Sequence, residues 1–276
     1  MNELALFAGA GGGILGGHLL GWRTVCAVEW EQYPASVLCA RQNDGLLPPF
    51  PIWDDVQTFD GKPWRGIVDV VSGGFPCQDI SAAGGGGGID GKRSGMWREM
   101  ARIICEVRPK YVFVENSPML TSRGLGRVLG DLASMGFDAR WGVLGAADVG
   151  APHQRDRIWI VAKWRGQLPH AQYDRIRWWE QQQEGLKKTH RQMANTQMFG
   201  QSSRNITPHY RSGWYVEGQP WGSCNEYAST NYWKTEPNVG RVADGVAARV
   251  DRLKAIGNGQ VPLCAATAWR ILSESL

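Results

Sequence analysis

From Leu4 to Asp148 short apolar runs alternate with segments of helical length, the arrangement expected of strand-helix-strand units that close on a parallel sheet. The pattern predicts strands over residues 4–7, 24–28, 67–72, 111–115 and 158–161, and helices over 13–20, 33–41, 96–107 and 124–135. A helical pattern returns over 242–253, breaks at Gly257-Asn258-Gly259 and resumes over 262–272. The fold class read from this is α/β, a Rossmann-like, doubly wound, mostly parallel sheet. In such sheets ligands bind beyond the carboxyl ends of the strands, and those ends carry Gly9, Glu29, Cys77 and Glu115.

Between residues 165 and 240 the periodicity is lost. Gln, Asn, Ser and Thr replace the apolar runs, and eight Lys and Arg stand against six acids between Gly166 and Gly240, with Trp and Tyr interleaved. That composition suits phosphate contact and base stacking, and equally an irregular surface insertion held by aromatic packing. The expected organisation is therefore a catalytic or binding domain over 1–164, a small loop-rich region over 165–240, and a C-terminal segment, 241–276, that returns to the first domain. At 276 residues one domain with a smaller appendage is the natural division.

Composition removes several classes. With 43% hydrophobic and 20% charged residues the chain is neither wholly disordered nor collagen-like. No apolar run approaches the roughly 18 residues of a membrane span. The start carries an acid, Glu3, where a secretory signal would carry basic residues, so a cytoplasmic protein is expected. The net charge of +4 is compatible with nucleic acid without arguing for it. Six cysteines lie far apart with no CxxC spacing, so neither a zinc site nor a disulfide framework is expected. The 36 glycines are roughly twice the usual ~7%, and they are concentrated where chemistry is expected.

Four segments carry that chemistry. Leu6-Phe7-Ala8-Gly9-Ala10-Gly11-Gly12-Gly13 follows a strand and opens a helix; glycines there let a ligand approach the backbone and meet amide hydrogens at a helix start. Glu29, ending the next strand, is placed for ribose hydroxyls. A tight structural turn is the alternative, and dinucleotide and adenosyl cofactors stay undecided because Gly11, Gly13 and Gly16 also satisfy GxGxxG. Ser72-Gly73-Gly74-Phe75-Pro76-Cys77-Gln78 puts a thiol on a loop at a strand end, a place for a nucleophile rather than a packed core thiol. Val112-Phe113-Val114-Glu115-Asn116 ends a buried strand in an acid, either a cap or salt-bridge partner or a proton donor whose pKa desolvation raises. Arg155-Asp156-Arg157 puts alternate guanidinium groups on one side of an incipient strand, to hold an anion or carbonyl or to form an edge-strand salt bridge.

In order, these segments resemble the cytosine-5 DNA methyltransferase family, of phage, prophage or bacterial type. Phe7-Ala8-Gly9-x-Gly11-Gly12 resembles its S-adenosylmethionine loop, Gly74-Phe75-Pro76-Cys77-Gln78 its Pro-Cys motif, and Glu115-Asn116 its Glu-Asn-Val motif. Arg155-Asp156-Arg157 resembles its Arg-Glu-Arg motif, and Gly257-Asn258-Gly259-Gln260-Val261-Pro262 its final Gly-Asn motif. The likeness covers roughly residues 4–162 and 240–272, and the aperiodic segment falls where the family carries its target-recognition region. It implies a class I methyltransferase fold, DNA methylation with base flipping, and a restriction-modification setting. It departs at Ala5, where Asp is frequent, at His153, where Gln is common, and at Ser117, where Val is common.

The resemblance implies site residues. Phe7 stacks on the adenine, Glu29 binds the ribose hydroxyls, Trp30 lies on the cofactor's other side, and Asp55, or alternatively Asp54, bonds the adenine amino group. Gly9, Gly11, Gly12, Pro76 and Asn258 border S-adenosylmethionine and its product S-adenosylhomocysteine, as does Arg93-Ser94-Gly95. Cys77 is the nucleophile, Glu115 bonds the target ring, Arg157 contacts the cytosine carbonyl and Arg155 supports it. The expected partner is double-stranded DNA, with RNA left open, no metal, and a monomer, since one flipped base needs one active site. The Gly84 to Gly88 tract would hinge a lid over that base; Arg175, Arg177, Lys187, Lys188, Arg191 and Arg204 would read phosphates or guanine edges. A nicotinamide-dependent oxidoreductase, the rival on the same fold, leaves Pro76-Cys77 and Glu115-Asn116 without a role.

Overall fold

The computed structural model describes residues 1–76, 96–166, 249–274 and 276, together with the backbone of 215–216 and 219–220. Cys77, the Gly84 to Gly88 tract, Arg93-Ser94-Gly95 and the basic residues between 175 and 204 lie outside the described residues. The chain divides into two compact units, one formed by Met1–Arg165 with Ser223–Leu276 and the other by Gly166–Gly222.

In the first unit the strands are β1 (Asn2–Leu6), β2 (Arg23–Val28), β3 (Ile52–Trp53), β4 (Val70–Gly73), β5 (Tyr111–Asn116), β6 (Phe137–Leu144) and β7 (Arg157–Trp164). They form one seven-stranded sheet in the order β3-β2-β1-β4-β5-β7-β6. The first five are parallel; β7 runs antiparallel between β5 and β6. The helices are α1 (Gly12–Leu19), α2 (Gln32–Asn43), α3 (Met96–Val107), α4 (Leu120–Arg123), α5 (Leu125–Ser134), α6 (Arg249–Asn258) and α7 (Pro262–Ser273). In the second unit β8 (Tyr215–Val216) pairs antiparallel with β9 (Gln219–Pro220).

The central strands are mostly apolar because both faces of a parallel sheet are covered. Val70, Val71, Val112 and Val114 are all at most 1% exposed. α3 is the cleanest helix in the sequence: Trp97, Met100, Ala101, Ile104 and Val107 recur at helical spacing and are all buried. α7 begins with Pro262 in its first turn, where the missing N–H costs nothing. It packs beside α1 and on β6 and β7, and its Trp269 meets Trp22 at 4.6 Å and Phe113 at 5.5 Å, both edge to face.

Four elements depart from the pattern reading. The helix expected to end at residue 253, before a break at Gly257-Asn258-Gly259, instead runs on through Gly257 to Asn258. Residues 67–69 are not strand: Ile67 is 49% exposed and its N–H bonds back to Trp64 in a turn, so β4 begins at Val70. β3, two residues long, has no period to detect. β6 is an edge strand whose Asp138, Arg140, Trp141 and Val143 are exposed, so it lacks the buried run that marks an interior strand. Of the edge-strand salt bridge weighed for Arg157, the edge is absent because β7 lies inside the sheet, while the salt bridge is present, to Glu115.

Candidate active site

β1, β4 and β5 end side by side, and the residues just past their carboxyl ends share a crevice with the turn between α6 and α7. Its walls include Phe7, Ala8 and Gly9 from the first loop, Gly13 from the start of α1, Gly73 at the end of β4 and Gly74 just beyond it, Glu115 from β5, and Asn258, Gly259 and Gln260. Phe113 and Trp159, stacked at 5.4 Å, contribute to its lining.

The glycine loop bends sharply. Phe7 holds φ +52°, with Gly9 at +54° and Gly11 at +91°. A left-handed backbone at a bulky residue is strained and marks a place held by its surroundings, often a ligand site. The glycines divide their work. A Cβ on Gly9 would meet open space, whereas one on Gly11 would strike Leu38 at 2.8 Å and one on Gly12 would sit 2.1 Å from the Gln260 carbonyl oxygen. Gly11 and Gly12 thus serve packing of α1 against its neighbours, and Gly9 is the one open to a ligand.

Glu29, at the end of β2, is buried. Its Oε2 accepts the Gly9 N–H at 2.6 Å and its Oε1 the Glu31 N–H at 2.8 Å, tying the loop to the strand end while each oxygen keeps further lone-pair capacity. Burial raises its pKa, opposed by those two amides. Trp30, beside it, is 74% exposed, and Trp53, at the end of the neighbouring β3, is 46% exposed. Asp55 is half-buried and accepts the Gln57 N–H at 2.8 Å, while Asp54 is exposed. An unfilled carboxylate face, exposed indole surfaces and an open glycine fit a ribose with an aromatic base.

On the other side of the crevice Glu115 ends β5, and Arg157 begins β7 on the adjacent strand. Arg157 Nε lies 2.9 Å from Glu115 Oε1, and Gln260 Nε2 lies 3.4 Å from Oε2. Burial raises the Glu115 pKa, with Arg157, Arg155 and Gln260 pulling the other way. The next residue, Asn116, is 3% exposed and donates from Nδ2 to the Phe75 carbonyl at 3.0 Å, fixing the loop that leads through exposed Pro76 to Cys77. Arg155 acts on Glu115 through its charge, while its Nη2 donates to the carbonyls of Gly257 at 2.6 Å and Gly259 at 2.5 Å. His153 is exposed.

The structure therefore gathers Phe7, Gly9, Glu115, Asn258 and the Arg157 pair around one crevice, and keeps Glu29, Trp30 and Asp55 along the adjoining strand ends. Sequence reasoning missed Gln260, which touches both sides, although it lies inside the quoted Gly-Asn-Gly-Gln-Val-Pro run. The signal available was the excess of glycine at 12, 13 and 74, which only a close neighbour explains.

The chain matches the model of the C-5 cytosine-specific DNA methylase family over residues 1–260. It belongs to that family. It is 36% identical over 170 residues to the Type II methyltransferase M.Eco47II of Escherichia coli, covering 58% of this chain and 38% of that one. It is 32% identical over 170 residues to M2.BsuMI of Bacillus subtilis (strain 168), covering 59% and 42%, and 34% identical over 164 residues to M.NgoBI of Neisseria gonorrhoeae, covering 58% and 50%. The matched part of this family member thus spans half or less of those curated relatives. The Entamoeba histolytica methyltransferase EhMeth shares its fold, with a TM-score of 0.51 at 15% identity over 61% of this chain and 55% of that one. Among the described residues no helix is long and apolar enough to cross a membrane, and no group of three or more His, Cys, Asp or Glu could hold a metal ion.

Proposed function

We propose that the chain is a DNA (cytosine-5) methyltransferase that acts on a cytosine flipped out of double-stranded DNA, as a bacterial or phage-encoded monomer in the cytoplasm. The observation that carries the reading is the Glu115 carboxyl, buried at a strand end, raised in proton affinity and still clamped by Arg157. Its place in the crevice lining, next to Asn116 and the loop to Cys77, supports a chemical role. The 32–36% identity to Type II methyltransferases supports the same reading and a place in a restriction-modification system.

Carbon 5 of cytosine is a weak nucleophile until a thiolate adds to carbon 6. In the proposed mechanism Cys77 forms that bond, the ring's electron pair moves toward nitrogen 3, and protonated Glu115 gives its proton there. Arg157 offsets charge at the ring carbonyl, and Arg155 holds the turn that carries Asn258. Bound S-adenosylmethionine supplies the methyl group that carbon 5 accepts. A base then takes the proton from carbon 5, the Cys77–carbon 6 bond breaks, and the thiolate leaves. Glu115 recovers its proton from nitrogen 3. For the cofactor, Phe7 and Trp30 offer aromatic faces, Glu29 meets the ribose hydroxyls and Asp55 the adenine amino group. Gly9, Pro76 and Asn258 border it, and Gly11 and Gly12 shape the loop. The region around residues 165–240 reads the flanking bases.

Transfer of labelled methyl from S-adenosylmethionine to mixed-sequence duplex DNA, for the parent and for Cys77→Ala, tests this. Label on carbon 5 of cytosine in the parent and none in the variant is expected. Label that appears only on RNA would move the substrate, and equal label in both proteins would remove Cys77 from the chemistry.

A further inference from the structure

Gln260 has no part in the mechanism above, yet it is the side chain on which the two halves of the crevice meet. Its backbone is fixed from two directions. The Gln260 carbonyl rests on Gly12 so closely that a Cβ there would lie 2.1 Å away. The turn just before it is held by Arg155 through the carbonyls of Gly257 and Gly259. From that anchor the side chain crosses the crevice. A Cβ on Gly13 would lie 2.4 Å from Oε1, and one on Gly74 would lie 3.0 Å from Nε2 and 2.5 Å from Glu115 Oε2. Two glycines in the first turn of α1 and one just past β4 therefore have the shape that this one glutamine and the acid beside it require. Nε2 is 3.4 Å from Glu115 Oε2, longer than the roughly 2.7–3.2 Å of a strong hydrogen bond and close enough to tighten with a small side-chain shift, while Arg157 holds the other oxygen at 2.9 Å.

We propose that Gln260 is a positioning residue for Glu115, setting, together with Arg157, the direction in which the carboxyl presents itself to the target ring. This rests on the cytosine-5 reading of the site. Arg157 alone fixes one oxygen and leaves the carboxyl free to rotate about the bond that carries it. A donor at the second oxygen removes that freedom, and an amide does so without adding a charge. The charged groups facing Glu115 among the described residues are Arg155 and Arg157. Gln260 is the neutral member of the set, so replacing it leaves the local charge unchanged and isolates its hydrogen bond.

The test compares the parent with Gln260→Leu, which keeps bulk against Gly13 and Gly74 but has no donor, and with Gln260→Met as a second apolar variant of greater flexibility. Glutamate side chains are labelled with carbon-13, and the Glu115 signal, identified by its loss in Glu115→Gln, is titrated without cofactor or DNA. Removing a donor to the charged form is expected to raise the Glu115 titration midpoint by roughly 0.3–1 pH unit, a two- to tenfold rise in proton affinity. This readout does not depend on methyl transfer, so it stands even if the parent methylates nothing, the outcome that would instead sink the proposed function. With active parent, kcat is expected to fall about tenfold in both variants, with the alkaline limb of its pH profile displaced upward and the affinity for S-adenosylhomocysteine within about twofold of the parent. A folded Leu or Met variant whose Glu115 titrates at the parent midpoint would overturn the proposal and leave Gln260 as packing.

Discussion

Replacing Glu3 by Gln is expected to alter how stability depends on pH. Glu3 lies in the middle of the sheet, 1% exposed, between β2 and β4. The Thr24 hydroxyl donates to its Oε2 at 2.7 Å and the Ser72 hydroxyl to its Oε1 at 2.6 Å; among the described residues no cation is paired with it. Burial lifts its pKa from 4.5 to about 7, against a smaller opposing pull from the two hydroxyls. Folded protein therefore keeps a proton that the unfolded chain releases near pH 4.5. The stability this proton contributes is complete below that pH and is lost as pH rises through about 7. At ~1.4 kcal/mol per pH unit, the interval is worth about 3 kcal/mol. Glutamine fits the same space, accepts from one hydroxyl and donates to the other, and does not titrate. Urea unfolding followed by tryptophan fluorescence, at half-unit steps from pH 4.5 to 8, gives the stability difference between variant and parent. Any fixed cost of the amide shifts that difference equally at every pH, and the raised carboxyls of Glu29 and Glu115 cancel from it. The variant should gain about 3 kcal/mol on the parent across the interval, nearly all of it below pH 7.5. A difference that changes by less than ~1 kcal/mol would mean that Glu3 is ionised in the folded protein throughout, and the burial argument would fail.

Two further outcomes follow from contacts around the crevice. Gly12→Ala places a Cβ 2.1 Å from the Gln260 carbonyl, so it should cost ~1–3 kcal/mol of stability by overpacking and lower methyl transfer more than Gly126→Ala, where the added Cβ meets nothing within 4 Å; equal effects at both positions would refute the close approach. Arg155→Ala removes both bonds to the Gly257 and Gly259 carbonyls, and hydrogen exchange at residues 257–260 should then quicken roughly tenfold or more, as expected for loss of charge-assisted hydrogen bonds worth ~1.5–3 kcal/mol each, while exchange in β5 stays as in the parent.

Much of the frame is legible in the chain because a parallel sheet writes itself as apolar runs ending in functional residues. β1, β2 and β5 lie within two residues of the runs that announce them, and α3 occupies the full span that its spacing marks. Glu29 and Glu115 stand out because an acid directly after such a run sits at a strand's carboxyl end, where ligands bind in sheets of this kind. What stays hidden depends on neighbours far away in sequence. Glu3 reads as an acid near a chain start and is in fact the most deeply buried carboxyl of the sheet, because β1 is flanked on both sides. Gln260 reads as one letter of a motif until the turn that holds it is laid against Gly12, about 250 positions earlier. β6 escapes notice for a different reason: at an edge, with one side to solvent, no period of buried residues is imposed on it.

The Gly12–Gln260 contact also bears on the order in which the molecule comes into being. All seven strands of the large sheet lie before residue 165, so a nascent chain can carry a finished sheet while the ribosome is still translating the segment that follows. α7, with Gln260 just ahead of it, is made well after the last strand of the sheet and must travel back to α1, closing a long loop, a slow kind of event. Until it docks, Glu115 has its arginine and lacks its second support. The acid side of the site is thus completed by a segment made well after the sheet, and a polypeptide that stops short of it carries the scaffold for chemistry without the geometry to perform it.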